Sequence, residues 1–236
     1  MKGAPRPDPA AWGLGGALEP LLGGHRNQVF HTRFHVFKST RRNEASLRWL
    51  EPLKAVARQA GLVVPGLLPS RSGALSVDGW TCEPFVAMSA AGQDADLREA
   101  RVKMGQVHRT TLGHPQRPGF VSARDVVGGV SGGDVDLSAV PQNLAARLRE
   151  SLAALPKADM SAIHGDLGLG NLGRGANGGL VLFDWDEARV DDPIFDLEAL
   201  DEVTRQAKLA WEILCSWQCE PAYARTLAET HLRLSR

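Results

Sequence analysis

Between His164 and Leu197 the chain reads HGDLGLGNLGRGANGGLVLFDWDEARVDDPIFDL, and this stretch restricts what the protein can be more than any other. It reads as a glycine-rich loop followed by a hairpin. Its apolar run, Leu180-Val181-Leu182-Phe183, is a strand that ends on a carboxylate, Asp184. The loop holds an H-x-D-x4-N element formed by His164, Asp166 and Asn171. Each piece has a plain alternative. Asp and Asn populate turns for local reasons, the short pattern recurs by chance, and Gly165, Gly168, Gly170, Gly173 and Gly175 alone describe a loop. The combination is more specific: loop, apolar strand, Asp184 with Trp185, then Asp192-Pro193 and Asp196-Leu197 in order.

Two acidic groups and a carboxamide so spaced suit one task, placing a hydroxyl and divalent cations around a phosphate. Phosphoryl transfer needs little covalent help from protein, so positioning and charge neutralisation carry most of it. Asp166 suits the role of orienting an acceptor hydroxyl and receiving its proton, which contributes about 10²–10⁴ in rate. Asn171 offers a neutral oxygen to a cation, and Asp184 a charged one of the kind Mg²⁺ prefers. His164 reads as an organiser of the loop rather than a chemical participant.

The bulk properties limit the remaining possibilities. The 236 residues suffice for one large domain or two small lobes. A formal net charge of +0 argues against broad binding to nucleic acid or anionic membranes. No apolar run approaches the roughly 20 residues that cross a bilayer. The opening MKGAPRPDPAAWGLGG lacks the apolar core of a signal peptide, so the cytoplasm is the default location. Cys82, Cys215 and Cys219 make no disulfide framework.

Along the chain, residues 1–20 read as a lead-in ending in a short strand or turn. Two strands joined by a glycine turn follow within residues 21–39, and Phe34, Val36 and Lys38 share a face of the second. A helix is predicted over about Arg41–Leu50, with Pro52 kinking or restarting it. Short strands run to about residue 88. A helix over Asp96–Thr111 offers Leu97, Val102, Met104 and Val107 for packing. Residues 112–135, rich in Gly, Pro and Ser, read as a long surface loop, residues 141–155 as an amphipathic helix, and residues 194–235 as mostly helix. The expected architecture is α+β. A small β-rich lobe over 1–88 and a larger helical lobe over 89–236 would leave a cleft of the kind that favours ligands.

HGDLGLGN, VLFDWDEA and DDPIFDLEAL together resemble the aminoglycoside phosphotransferase and choline kinase-like family, which has the protein-kinase-like fold. The likeness is clear over residues 160–200 and looser over 20–110. It implies that Asp166 is the catalytic aspartate, that Asn171 and Asp184 are magnesium ligands, and that Asp196 is a structural aspartate tying the helical lobe together. His108 matches a helix histidine of the family, of structural rather than catalytic character. The implied activity is transfer of the γ-phosphate of ATP or GTP, with Mg²⁺, to a hydroxyl of a small molecule such as an amino alcohol, sugar or aminoglycoside. The acidic run Asp184, Asp186, Glu187, Asp191, Asp192 and Glu198 suggests an acceptor with amino groups, although such residues are also ordinary solvated turn positions.

A kinase-like small lobe holds the phosphates with a strand lysine and a flexible turn. Lys38 fits the lysine, and read alone it is equally an exposed strand-end residue. Its expected ion-pair partner is Glu44. Glu51 is the other candidate, but it precedes Pro52 and is biased away from helical geometry. Gly23 and Gly24 would cover the phosphates, or form a simple Gly-Gly hairpin. Trp80–Val86 resembles the segment joining the lobes, with backbone groups near Glu83 and Phe85 meeting the purine. Two departures stand out. Gly168 replaces the loop histidine usual in the family, and the chain ends sooner after Asp196 than in most members, predicting a smaller or more open acceptor pocket. Between Asp184 and Asp192 there is no room for an activation segment, which counts against a protein kinase. A catalytically weak or inactive nucleotide-binding protein on the same fold is the alternative.

Overall fold

A computed structural model describes residues 5–21 and 27–234. In chain order the first elements are β1 (Glu19–Pro20), β2 (Val29–His31), β3 (His35–Ser39), α1 (Glu44–Gln59), β4 (Ser76–Val77), β5 (Trp80–Pro84) and β6 (Met88–Ala90). Then come α2 (Asp94–Thr110), α3 (Ala123–Val127), α4 (Gln142–Ala153), β7 (Ser161–Ile163), β8 (Leu172–Gly175), β9 (Leu180–Leu182), β10 (Arg189–Asp191), α5 (Glu202–Ser216) and α6 (Pro221–Leu234). The architecture is α+β, as expected. Its two compact units do not follow a boundary near residue 88: one holds Met1–Lys103 with Gly168–Phe183, the other Met104–Leu167 with Asp184–Arg236.

The first unit is built on an antiparallel sheet in the order β1-β2-β3-β5-β4. Residues alternate between its faces, and cross-strand partners share one. Phe30, Phe37 and Cys82 lie in one register row, which with Trp12 and Trp80 forms an aromatic core. Trp12 meets Phe37, and Phe30 meets Trp80, edge to face at 5.6 Å. The two indole N–H groups donate to the carbonyls of Leu68 and Pro5, at 3.0 and 2.7 Å, so neither burial leaves a donor without a partner. A second, three-stranded sheet in the order β6-β8-β9 belongs to the same unit. Pairing of β6 with β8, and of Val63 with β9, ties residues 168–183 into this unit.

The helix expected over residues 41–50 is longer and unbroken. Asn43 caps α1 by accepting from the Ser46 N–H at 2.9 Å, and the helix continues through Pro52 to Gln59. An interior proline costs about 3 kcal/mol. Burial of Leu47, Trp49, Leu50, Leu53 and Ala57 on both sides of it offsets that penalty. Glu51 is therefore helical despite preceding a proline, and its carboxylate accepts the Leu67 N–H at 2.9 Å.

In the second unit α3, α4, α5 and α6 enclose a core that includes Val126, Leu148, Ile213 and Leu214, all fully buried. The segment 112–135 is a surface loop only in part. It contains α3, started by a capping box between Ser122 and Asp125, and Arg117, which is 0% exposed. Clusters of Gly, Pro and Ser report turns without saying whether the turns are covered. On α2, Met104 and Val107 are buried as expected, whereas Val102 is 75% exposed. Among the described residues no helix is long and apolar enough to cross a membrane. Leu148→Ala is expected to cost about 2–5 kcal/mol of unfolding free energy in urea titrations, against under about 0.5 kcal/mol for Val102→Ala.

Candidate active site

In the second unit β7 pairs antiparallel with β10 and delivers the chain to His164. At Gly165 the backbone turns left-handed, φ +86°, and a Cβ there would lie 2.5 Å from the Glu187 carbonyl oxygen, so only glycine fits. The next N–H, of Asp166, donates to Nδ1 of His164 at 3.3 Å, and the His164 ring stands edge-on to Trp185 at 4.8 Å. His164 is fully buried and shapes the loop, which is the organising role read from the sequence.

The loop is anchored from beneath by Asp196. Its buried carboxylate accepts the N–H groups of His164 (2.8 Å) and Gly165 (2.9 Å) and faces Nε2 of His108 on α2 at 2.9 Å. Burial pushes this carboxyl up, but the His108 hydrogen bond and charge, with His164 and the Gly165 amide, more than reverse the effect and hold it below the usual carboxylate range. Asp196 thus has the tying role that the resemblance implies, with His108 as its partner.

Asp184 has φ 61° and ψ 64°, a left-handed conformation that a non-glycine residue rarely adopts. Arg117 secures the short 3-10 turn that follows. Its buried Nη1 donates to the carbonyls of Asp186 and Ala188, both at 2.9 Å, and of Trp185 at 3.3 Å. Gln116 adds two bonds to the backbone of Val190. Nothing in the sequence separates Arg117 from a surface arginine; its role depends on a loop folding back over a segment some seventy residues later.

Two members of the acidic run suggested for an amino-bearing acceptor have structural work instead. Asp191 is buried, paired with Arg189 Nε at 2.9 Å, and accepts the Ala123 N–H at the start of α3. Arg189 in turn lies over the rings of Trp211 and Phe195. Asp192 caps a 3-10 turn through the Ile194 N–H.

The first unit contributes Asn171, at the end of a 3-10 turn that leads into β8. Its carbonyl accepts the N–H of Phe183 at 3.1 Å, so the β8–β9 hairpin sets Asn171 beside the residue preceding Asp184. In the five-stranded sheet, Val29, Lys38 and Thr81 share one row, and His31, Val36 and Glu83 the next, all on the face opposite the aromatic core. Lys38 thus has the strand position expected of it. Glu44 does not present the expected ion pair: its carboxylate binds Arg48 at 2.6 Å and the Leu75 N–H at 3.0 Å. The lysine–glutamate pair between helix and sheet is instead Lys54 on α1 with Glu83 on β5, at 2.6 Å.

The other expected nucleotide contacts fare unevenly. The Phe85 N–H donates to the Phe34 carbonyl at 2.7 Å and is engaged in extending the sheet, while its ring stacks on His31. Gly23 and Gly24 lie outside the described residues. The side-chain oxygens of Asn171 and of Asp184 are each hard donors of the kind Mg²⁺ prefers. The described residues hold no cluster of three or more His, Cys, Asp or Glu suited to a metal.

Because the Asp196 carboxyl is held below its unfolded value, its stabilising contribution is fully present above about pH 4 and is lost as pH falls through the folded pKa. Urea midpoints measured from pH 6 to pH 2 are expected to fall less steeply in Asp196→Asn than in the unaltered chain; parallel curves would remove Asp196 as the acid-sensitive group.

No curated protein matches the chain. Among solved structures, the chain is similar to a putative fructosamine-3-kinase from Haemophilus somnus 129PT, with 12% identity, coverage of 96% of this chain and 95% of that one, and a TM-score of 0.61. A choline/ethanolamine kinase family protein from Mesorhizobium loti gives 19% identity, 94% and 89% coverage, and a TM-score of 0.52. Spectinomycin phosphotransferase, in complex with ADP and spectinomycin, gives 11% identity, 92% and 86% coverage, and a TM-score of 0.56. At these identities the likeness establishes a shared fold. The model of the phosphotransferase enzyme family matches residues 18–234, nearly the whole chain, and the protein belongs to that family.

Proposed function

We propose that the protein transfers the terminal phosphoryl group of ATP or GTP, with Mg²⁺, to a hydroxyl of a small molecule. The observation that carries this reading is the left-handed Asp184, followed at once by a turn whose carbonyls Arg117 holds. Backbone strain of this kind costs about 1–3 kcal/mol and persists where the surroundings over-determine it, characteristically at functional sites. Family membership and the acceptors named for the similar structures (choline or ethanolamine, spectinomycin, fructosamine) support a small-molecule acceptor.

In this reading the acceptor oxygen forms a bond to the γ-phosphorus as the bond to the β,γ-bridging oxygen breaks, and that electron pair leaves on the nucleoside diphosphate. Asp166 orients the acceptor hydroxyl and takes its proton. Asn171 and Asp184 would hold Mg²⁺, which supplies charge neutralisation along the phosphates. Lys38 binds the phosphates from the strand, and Val36 in the adjacent row offers an apolar wall to the purine.

Mg²⁺ with ATP or GTP is expected to stabilise the protein by about 2.7 kcal/mol at a hundredfold excess over Kd. Millimolar concentrations of both nucleotides leaving the melting temperature unmoved would sink the proposal. Asp166→Asn is expected to lower kcat by about 10²–10⁴ while nucleotide affinity holds; parallel loss of both would reassign Asp166.

A further inference from the structure

We infer that Lys54 is a positioning residue for the nucleotide site: by occupying Glu83 it keeps that carboxylate from capturing Lys38. This rests on the reading of Lys38 as the phosphate-binding lysine. Lys54 lies on the inner side of α1 with 3% of its side chain exposed, and its Nζ meets Glu83 Oε1 at 2.6 Å. Glu83 is less deeply set, at 24%. The pair is therefore asymmetric, with a sequestered cation holding a less deeply set anion.

The register supplies the second observation. Val36 stands opposite Glu83 and Lys38 opposite Thr81, so Lys38 and Glu83 are diagonal neighbours on one face. Diagonal Cβ atoms in an antiparallel pair lie about 7–8 Å apart, within reach of two long side chains. A half-buried carboxylate without Lys54 has a strong incentive to find a cation, and Lys38 stands diagonally adjacent. A triphosphate and Glu83 would then compete for the same ammonium. Lys54 removes Glu83 from that competition.

Stability is a weak explanation for such a pair. Replacing a buried ion pair with apolar groups of similar volume is often neutral or favourable, whereas deleting one partner strands the other. What distinguishes the proposed role from a merely structural one is that the damage done by losing Lys54 is carried by the Glu83 carboxylate, and so is reversed by removing that charge. The ordinary lysine–glutamate roles are also redistributed here. Glu44, expected to hold Lys38, is bound to Arg48 and to the Leu75 amide.

The test measures Mg-nucleotide affinity by calorimetry, with kcat and KM alongside once an acceptor is in hand. Lys54→Met is expected to weaken nucleotide binding by about tenfold or more, the scale of one charged contact, raising KM for nucleotide with kcat little changed. Lys54→Met with Glu83→Gln is expected to return affinity to within about threefold of the unaltered chain, and Lys54→Arg to stay near it. Unchanged affinity in Lys54→Met, or a double variant as weak as the single one, would overturn the inference. Should Lys54→Met not fold, Lys54→Gln takes its place, with the same loss expected and the same rescue by Glu83→Gln; unchanged affinity in Lys54→Gln, or no rescue, would refute the role. If the unaltered chain itself binds neither ATP nor GTP, the phosphotransferase reading falls first, and this inference falls with it.

Discussion

A buried anion must be surrounded by donors, and the second unit is organised around one. Asp196 takes the two successive amides of His164 and Gly165 and faces His108 across from α2, so one carboxylate fixes a helix, a strand end and the loop carrying Asp166. Stripped of water, such a group tolerates few alternative arrangements, because each lost donor exposes a large desolvation cost. Rotating His164 or lifting the loop would break its hydrogen bonds. The position of the Asp166 backbone follows from this constraint, with the His164 ring receiving its N–H.

The same logic works with opposite charge at Asp184. Arg117 is fully buried, and its guanidinium donates to three backbone carbonyls, gathering the turn that follows the left-handed aspartate. Backbone carbonyls exposed by a tight turn need donors, and a planar guanidinium supplies several in fixed geometry. Arg189 and Asp191 extend the network toward α3, leaving Asp191 occupied. Buried charge in this unit serves positioning, and part of the acidic run that suggested an amino-bearing acceptor is spent on it.

In the first unit the sheet face opposite the aromatic core carries Lys38 and Glu83 in adjacent rows, with Lys54 of α1 closing on the latter. Period-2 alternation alone puts Lys38 with Val36, because strand faces follow directly from parity. Glu83 joins them only through the pairing of β3 with β5, whose segments lie more than forty residues apart. The proline after Glu51 favours Glu44 as the partner of Lys38, yet the Glu44 carboxylate is taken by Arg48 and by the Leu75 amide, the latter a contact across thirty-one residues.

What the sequence by itself determined is the local chemistry and its order: the H-x-D-x4-N loop, the apolar strand ending at Asp184, the strand lysine, the α+β class and the family likeness. These are short-range signals, set by turn residues, periodicity and spacing within a few turns of chain. Only the tertiary structure decided that Arg117 is buried against the turn after Asp184, that packing carries α1 through Pro52, that β6 pairs with the β8–β9 hairpin in the first unit, and that Lys54 bridges helix and sheet to Glu83. Each of these depends on groups distant in sequence meeting, and all but the pairing of the exposed β6 do so in a low-dielectric interior. There, burial and unsatisfied hydrogen bonds outweigh the local preferences that a sequence displays.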